Sequence, residues 1–123
     1  MGAVTILLVE DEEPLRVAIA KMLRKWGFEA FEAASGSAAI DFLRARGGKI
    51  DLMLLDLTIP GASSQEVLDE AVVAQPNVKV VLTSAYSEEV AKPMMRAPLV
   101  CGFILKPFRI ADLVQQLRTV LLS

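Results

Sequence analysis

Five short apolar runs recur along the chain at residues 4–9, 28–33, 51–55, 78–82 and 101–105, and each is followed by a stretch whose apolar residues return every third or fourth position. That alternation constrains the fold more than any single residue does. Strands separated by helix-length segments cannot pair as hairpins. They pair in parallel through right-handed crossovers, and the crossover helices cover both faces of one sheet. A parallel α/β sheet delivers all its carboxyl ends to one rim, where ligands of such folds bind.

The first run is β-branched and ends at Glu10-Asp11-Glu12-Glu13-Pro14, which opens a helix with acids in its first turn and Asp11 as the expected N-cap. Leu15, Ala18, Ile19, Met22, Leu23 and Trp26 form its apolar face, and Gly27 stops it. Residues 28–33 alternate apolar and polar, the pattern of a half-exposed strand near a sheet edge. Ser35-Gly36-Ser37 leads into a second helix with Ala39, Ile40 and Leu43 inside, ending at Gly47-Gly48. Ser63 to Glu66 reads as a capping box before a third helix, whose expected buried stripe is Val67, Leu68, Ala71 and Val72. Pro76 closes that helix. A fourth begins at Ser87-Glu88-Glu89 and is kept short or kinked by Pro93 and Pro98. The last helix carries Ile110, Leu113, Val114, Leu117, Val120 and Leu121 on one face.

Asp56 ends the third run and is followed directly by Leu57-Thr58-Ile59-Pro60-Gly61, a sharp turn. As a lone residue it reads equally well as a turn or capping acid. Taken with its neighbours on the rim it reads differently. The first strand brings Glu10 and Asp11, the fourth Thr83, the fifth Lys106. Carboxylates crowded into one crevice repel one another unless a cation lies between them. A hard divalent ion such as Mg²⁺, which takes one or two carboxylates and keeps waters and phosphate oxygens, suits that donor set. Metal, lysine and hydroxyl together suggest phosphoryl transfer.

Composition removes other classes. The chain has no histidine, so His-based catalysis, Ser-His-Asp triads and His-ligated zinc are excluded, and a phosphohistidine donor must be another protein. One cysteine, Cys101, allows no intrachain disulfide; it is expected as a buried strand residue in a reducing, cytoplasmic setting. A formal charge of −2 with no basic run gives no footprint for nucleic acid. No apolar stretch approaches the roughly 18 residues of a membrane span. No glycine-rich nucleotide-binding fingerprint occurs. Trp26 and the Met94-Met95 pair are expected in core or interface packing.

The ordered set of an acidic pair after the first strand, Asp-Leu-x-x-Pro-Gly after the third, Leu-Thr-Ser-Ala after the fourth and Lys-Pro-Phe after the fifth resembles the receiver domain of two-component response regulators. The resemblance covers essentially the whole chain, read as one receiver domain over residues 1–123 with no output domain. It implies a flavodoxin-like (βα)5 three-layer sandwich of strand order 2-1-3-4-5. It also implies that Asp56 accepts a phosphoryl group from a histidine kinase or phosphotransfer protein. Asp11 and Asp56 would ligate Mg²⁺ (or Mn²⁺), with Glu10 holding metal waters and the Thr58 backbone carbonyl completing the protein's share. Lys106 would be the phosphate's counter-ion, Thr83 the switch hydroxyl and Phe103 the switch aromatic; Phe103 has no hydroxyl, so its burial in either state carries no polar penalty. Pro60 and Gly61 form the turn, and Lys106-Pro107 resembles a bond that is usually cis. Thr58 and Ala85 occupy the places that tune attack of water on the phosphoryl group.

The resemblance further implies a readout through helix four, strand five and helix five, where Met94, Met95, Pro98, Leu99 and Val100 could form a docking patch or ordinary core contacts, and allows a phosphorylation-linked homodimer. It makes the chain a signalling module and not an enzyme acting on a separate substrate, though it can catalyse its own phosphorylation and dephosphorylation. Ala62-Ser63-Ser64 departs from the usual family pattern at the entry to helix three. The stretches 84–89 and 101–108 are similar to receivers attached to hybrid histidine kinases. Two rival readings are a pseudo-receiver that binds partners without phosphorylation, and a phosphohydrolase with an aspartyl-phosphate intermediate. Against the second, the place two residues beyond Asp56 is Thr58 and not an acid.

Overall fold

In the computed structural model, which describes residues 3–123, the five apolar runs become strands and the periodic stretches helices. In chain order they are β1 (Thr5–Val9), α1 (Glu13–Lys25), β2 (Glu29–Ala33), α2 (Gly36–Ala45), β3 (Leu52–Asp56), α3 (Ser64–Ala74), β4 (Lys79–Ser84), α4 (Glu88–Met95), β5 (Val100–Leu105) and α5 (Ile110–Leu122). The sheet order is β2-β1-β3-β4-β5 with every pair parallel. This is the flavodoxin-like arrangement.

Strands β1 and β3 are buried along their whole length, as expected of central parallel strands covered on both faces. Their side chains alternate between two cores. Leu7, Val9, Met53, Leu55, Val80 and Leu82 face α2 and α3, with Ala91 of α4 behind them. Ile6, Leu8, Leu52, Leu54, Val81 and Ile104 face Ile19 and Leu23 of α1 and Leu113 and Leu117 of α5. Each such aliphatic side chain contributes about 1.5–3 kcal/mol on burial. Both faces of the sheet are thereby fixed, and with them the rim. β2, at the sheet edge, is half-exposed: Ala30 and Ala33 are buried while Glu29 and Glu32 are exposed.

Four local expectations are corrected. Helix α1 begins after Glu12, which has extended backbone and makes no side-chain cap; Asp11 is not its N-cap. Pro14 sits in the first turn and has no N–H to receive a capping acceptor, so little is gained by one. Trp26 is not a core residue: it is 55% exposed, because it stands at the C-cap beyond the last helical turn, where Arg118 stacks on its ring at 4.8 Å. Val72 is 48% exposed, since the buried stripe of α3 runs through Ser64, Val67, Leu68 and Ala71 and Val72 falls off it. Cys101 is exposed. The register steps from Val80↔Val100 to Val81↔Gly102, so Cys101 is the extra residue of a bulge on the edge strand and is turned outward.

Other expectations hold in form. The Ser63 hydroxyl caps α3 by accepting from the Glu66 amide, and α4 is only eight residues long with Pro93 inside it. Gly27 takes φ +93°, the left-handed conformation of a helix stop.

Candidate functional site

Parallel pairing brings the ends of β1, β3, β4 and β5 to one rim, with a polar residue at or just after each end. Asp56 closes β3 directly beside Thr83 of β4. Glu10 follows β1, and Lys106 follows β5 with its amide hydrogen-bonded to the Ser84 carbonyl at 2.8 Å. Among the predicted residues, Glu10, Asp56 and Thr83 are 2–3% exposed, while Asp11 is exposed. One carboxylate oxygen from each of Glu10, Asp11 and Asp56 lies within 4.8 Å of the others. The Lys106 ammonium meets two of these acids, at 2.6 Å from Glu10 Oε1 and 2.8 Å from Asp56 Oδ2.

Each buried acid is also held from the backbone. The Thr58 amide donates to Asp56 Oδ1 at 3.0 Å, and the Glu12 amide donates to Glu10 Oε2 at 3.1 Å. These bonds orient the carboxylates, yet the charge balance stays one-sided. Burial pushes the Glu10 carboxyl above the ordinary glutamate value, and the nearby Asp56 charge adds to this, against the opposing hydrogen bond from Lys106. For Lys106 burial acts to lower the pKa, but hydrogen bonds to Asp56 and Glu10, with their charges, together hold it above the ordinary lysine value. The lysine is therefore a fixed cation.

A shallow hollow over these groups is lined by Asp11, Glu12, Asp56, Thr58, Ala85, Tyr86 and Lys106. Its acids offer only hard oxygen donors, which fits Mg²⁺ or Mn²⁺ and not a thiolate- or imidazole-seeking metal. Ala85 adds no bulk over the site. The Lys106-Pro107 bond is cis, and Gly61 takes φ +78°, so the turn after Pro60 uses a conformation that glycine adopts without strain. Phe103 stands apart from this rim, half-buried against the core that contains Leu82 and Val80. Met94, Met95, Leu99 and Val100 are likewise partly buried against that core.

Three features of the site were not read from the sequence. Lys106 binds Glu10 as closely as Asp56. Ser64, within a doublet that reads as a helix cap, donates its hydroxyl to the Asp56 carbonyl at 2.8 Å and is buried. Ser84 is fully buried and its hydroxyl accepts from the Tyr86 amide at 2.9 Å, shaping the loop after β4. The departure from the family pattern at Ser64 was the available signal for the second of these.

Comparison with known proteins agrees with this geometry. The family described as "Response regulator receiver domain" matches residues 6–118. The sensor kinase CckA of Brucella abortus is 31% identical over 120 residues, covering 98% of this chain and 13% of the kinase's length. A crystal structure of the receiver domain of the hybrid histidine kinase CckA superposes with a TM-score of 0.80 at 31% identity, covering 95% of this chain and 98% of that one. The response regulator TrrA of Thermotoga maritima, solved in complex with Mg²⁺-BeF, gives a TM-score of 0.79 at 26% identity, covering 95% of this chain and 98% of that one.

Proposed function

Because the chain belongs to the response regulator receiver domain family, we propose that it works as a phosphoacceptor whose acceptor is Asp56. The observation that carries this reading is the Asp56 carboxylate itself. It is buried at a strand end, shares the rim with two more acids, and is met by Lys106 at 2.8 Å. An Asp56 carboxylate oxygen attacks the phosphorus of a phosphohistidine on a kinase or phosphotransfer protein. The P–O bond forms as the P–N bond breaks, and the imidazole leaves with the electron pair and takes up a proton. A divalent cation held by Asp11, Asp56, Glu10 and the Thr58 carbonyl would neutralise charge between carboxylates and phosphoryl oxygens.

The protein's own groups do the rest. Lys106, a compact charge on a buried stem, pairs with Asp56 before transfer and with a phosphoryl oxygen after it. Thr83, beside Asp56 in the sheet register, moves its hydroxyl toward the new phosphoryl group, and Phe103 repacks against the core it adjoins. The acyl phosphate adds about −1.5 to −2 charge, and a full change of population needs roughly 5 kcal/mol of preference for the active conformer. The readout runs through α4, β5 and α5 to a downstream protein or a second copy of the chain. Residues 1–123 act as one receiver unit in the cytoplasm, without a separate substrate, and water attack past Thr58 and Ala85 ends the signal. TrrA, with its Mg²⁺-BeF, supports the metal assignment by analogy.

A phosphorylation-independent module has no need of buried acids held together, and a phosphohydrolase would need a second catalytic acid where Thr58 stands. Transfer from a phosphorylated histidine kinase tests the reading. Label should pass to the wild-type chain in the presence of Mg²⁺ and not to Asp56→Asn; equal labelling of both would overturn it.

A further inference from the structure

The loop that follows Asp56 is interlocked with the first turn of α2. The Gly36 amide donates to the Pro60 carbonyl at 3.0 Å, and the Ala62 amide donates to the Ser37 hydroxyl at 3.2 Å. The fit is steric as well. A Cβ on Gly36 would overlap the Ala62 carbonyl, and a Cβ on Gly61 would stand 2.7 Å from the Ser37 hydroxyl oxygen. The far side of the same loop is tied by Ser64 to the Asp56 carbonyl and by the Thr58 amide to the Asp56 carboxylate. Residues 57–63 are therefore held near both ends by Thr58 and Ser64, and in the middle, at residues 60–62, by α2.

We propose that Gly36 and Ser37 are positioning residues for the cation site: by clamping residues 60–62 they fix the loop that carries Thr58, which lines the same hollow as Asp11 and Asp56. The inference rests on the proposed phosphoacceptor reading. Neither residue touches the carboxylates. Their action passes through the loop backbone, where only Ile59 separates Thr58 from the clamped Pro60. An oxygen donor displaced by a few tenths of an ångström is poorly matched to Mg²⁺, which demands near-ideal octahedral geometry. The clamp is specific to α2, since it consists of a backbone amide, one hydroxyl and the absence of a side chain on Gly36.

The test is the Mg²⁺ dissociation constant of the unphosphorylated chain, measured by calorimetry beside thermal stability. Ser37→Ala should weaken Mg²⁺ binding about three- to tenfold, the range expected for one net hydrogen bond. Gln75→Ala, which removes side-chain hydrogen bonds at the opposite end of the sheet, should lower stability and leave Mg²⁺ binding at the wild-type value. Gly36→Ala should weaken binding further where it folds; Ser37→Ala carries the test if it does not. Wild-type affinity in Ser37→Ala, or equal weakening in Ser37→Ala and Gln75→Ala, would overturn the inference while leaving the phosphoacceptor reading intact. Absence of Mg²⁺ binding by the wild-type chain would overturn both.

Discussion

The two ends of the sheet use the same residue types to different ends. At the amino end, Asp51 Oδ2 accepts from the Thr5 amide at 2.8 Å, and Gln75 accepts from the Ile50 amide and donates to the Gly48 carbonyl, both at 2.9 Å. Lys79 donates to the Val120 and Ser123 carbonyls at the end of α5, at 2.8 Å each. Every one of these side chains closes a backbone valence that a strand or helix end leaves open. At the carboxyl end, Glu10, Asp11 and Asp56 crowd together, and a single ammonium, that of Lys106, meets Glu10 and Asp56. A lysine that caps a helix and a lysine that faces surplus carboxylates look alike in composition. What separates structure from function is whether the local charge and hydrogen-bonding capacity are already matched.

Removing Lys106 should sharpen the contrast most. Lys106→Met leaves Glu10 and Asp56 buried without their cation, and we expect the metal-free protein to lose about 3 kcal/mol, the order found when one partner of a buried pair is removed. Mg²⁺ should restore a large part of that loss, because it binds only the folded site. Denaturant melts with and without Mg²⁺ measure it, and a loss unaffected by Mg²⁺ would break the comparison. At the other end, Gln75→Ala strips the partner from the buried Ile50 amide and should cost about 1–3 kcal/mol, identical with and without Mg²⁺. Lys79→Ala should cost less, about 0.3–1 kcal/mol, since its charge only complements the end of a helix. A change in Mg²⁺ affinity in either amino-end variant would show that the two ends are not independent.

The fold was legible because its signals are periodic and repeated: alternation places Leu7 and Leu8 on opposite faces, and every crossover repeats the lesson. The rim was legible because four of the five strands place an acid, a hydroxyl or a lysine at or just after their carboxyl ends. What could not be read was geometry that depends on a single residue's offset. Trp26 stands one position beyond its helix, and Val72 one position off its stripe, so both lie largely exposed. Cys101 faces outward because the edge strand bulges there, and no local pattern marks a bulge. Glu10 shares Lys106 with Asp56 because β1 and β5, far apart in the sheet, converge over β3 through long side chains. Gly36 reads as a residue of a helix start and gives no hint of the loop that passes against it.

The most direct measurement is the intact mass of the chain after incubation with acetyl phosphate, with and without Mg²⁺, alongside Asp56→Asn. Gain of one phosphoryl group that requires both Mg²⁺ and Asp56 is the predicted result. A folded wild-type chain that gains none under any condition, or an Asp56→Asn chain that gains it as readily, would contradict the assignment of Asp56 as the phosphoacceptor.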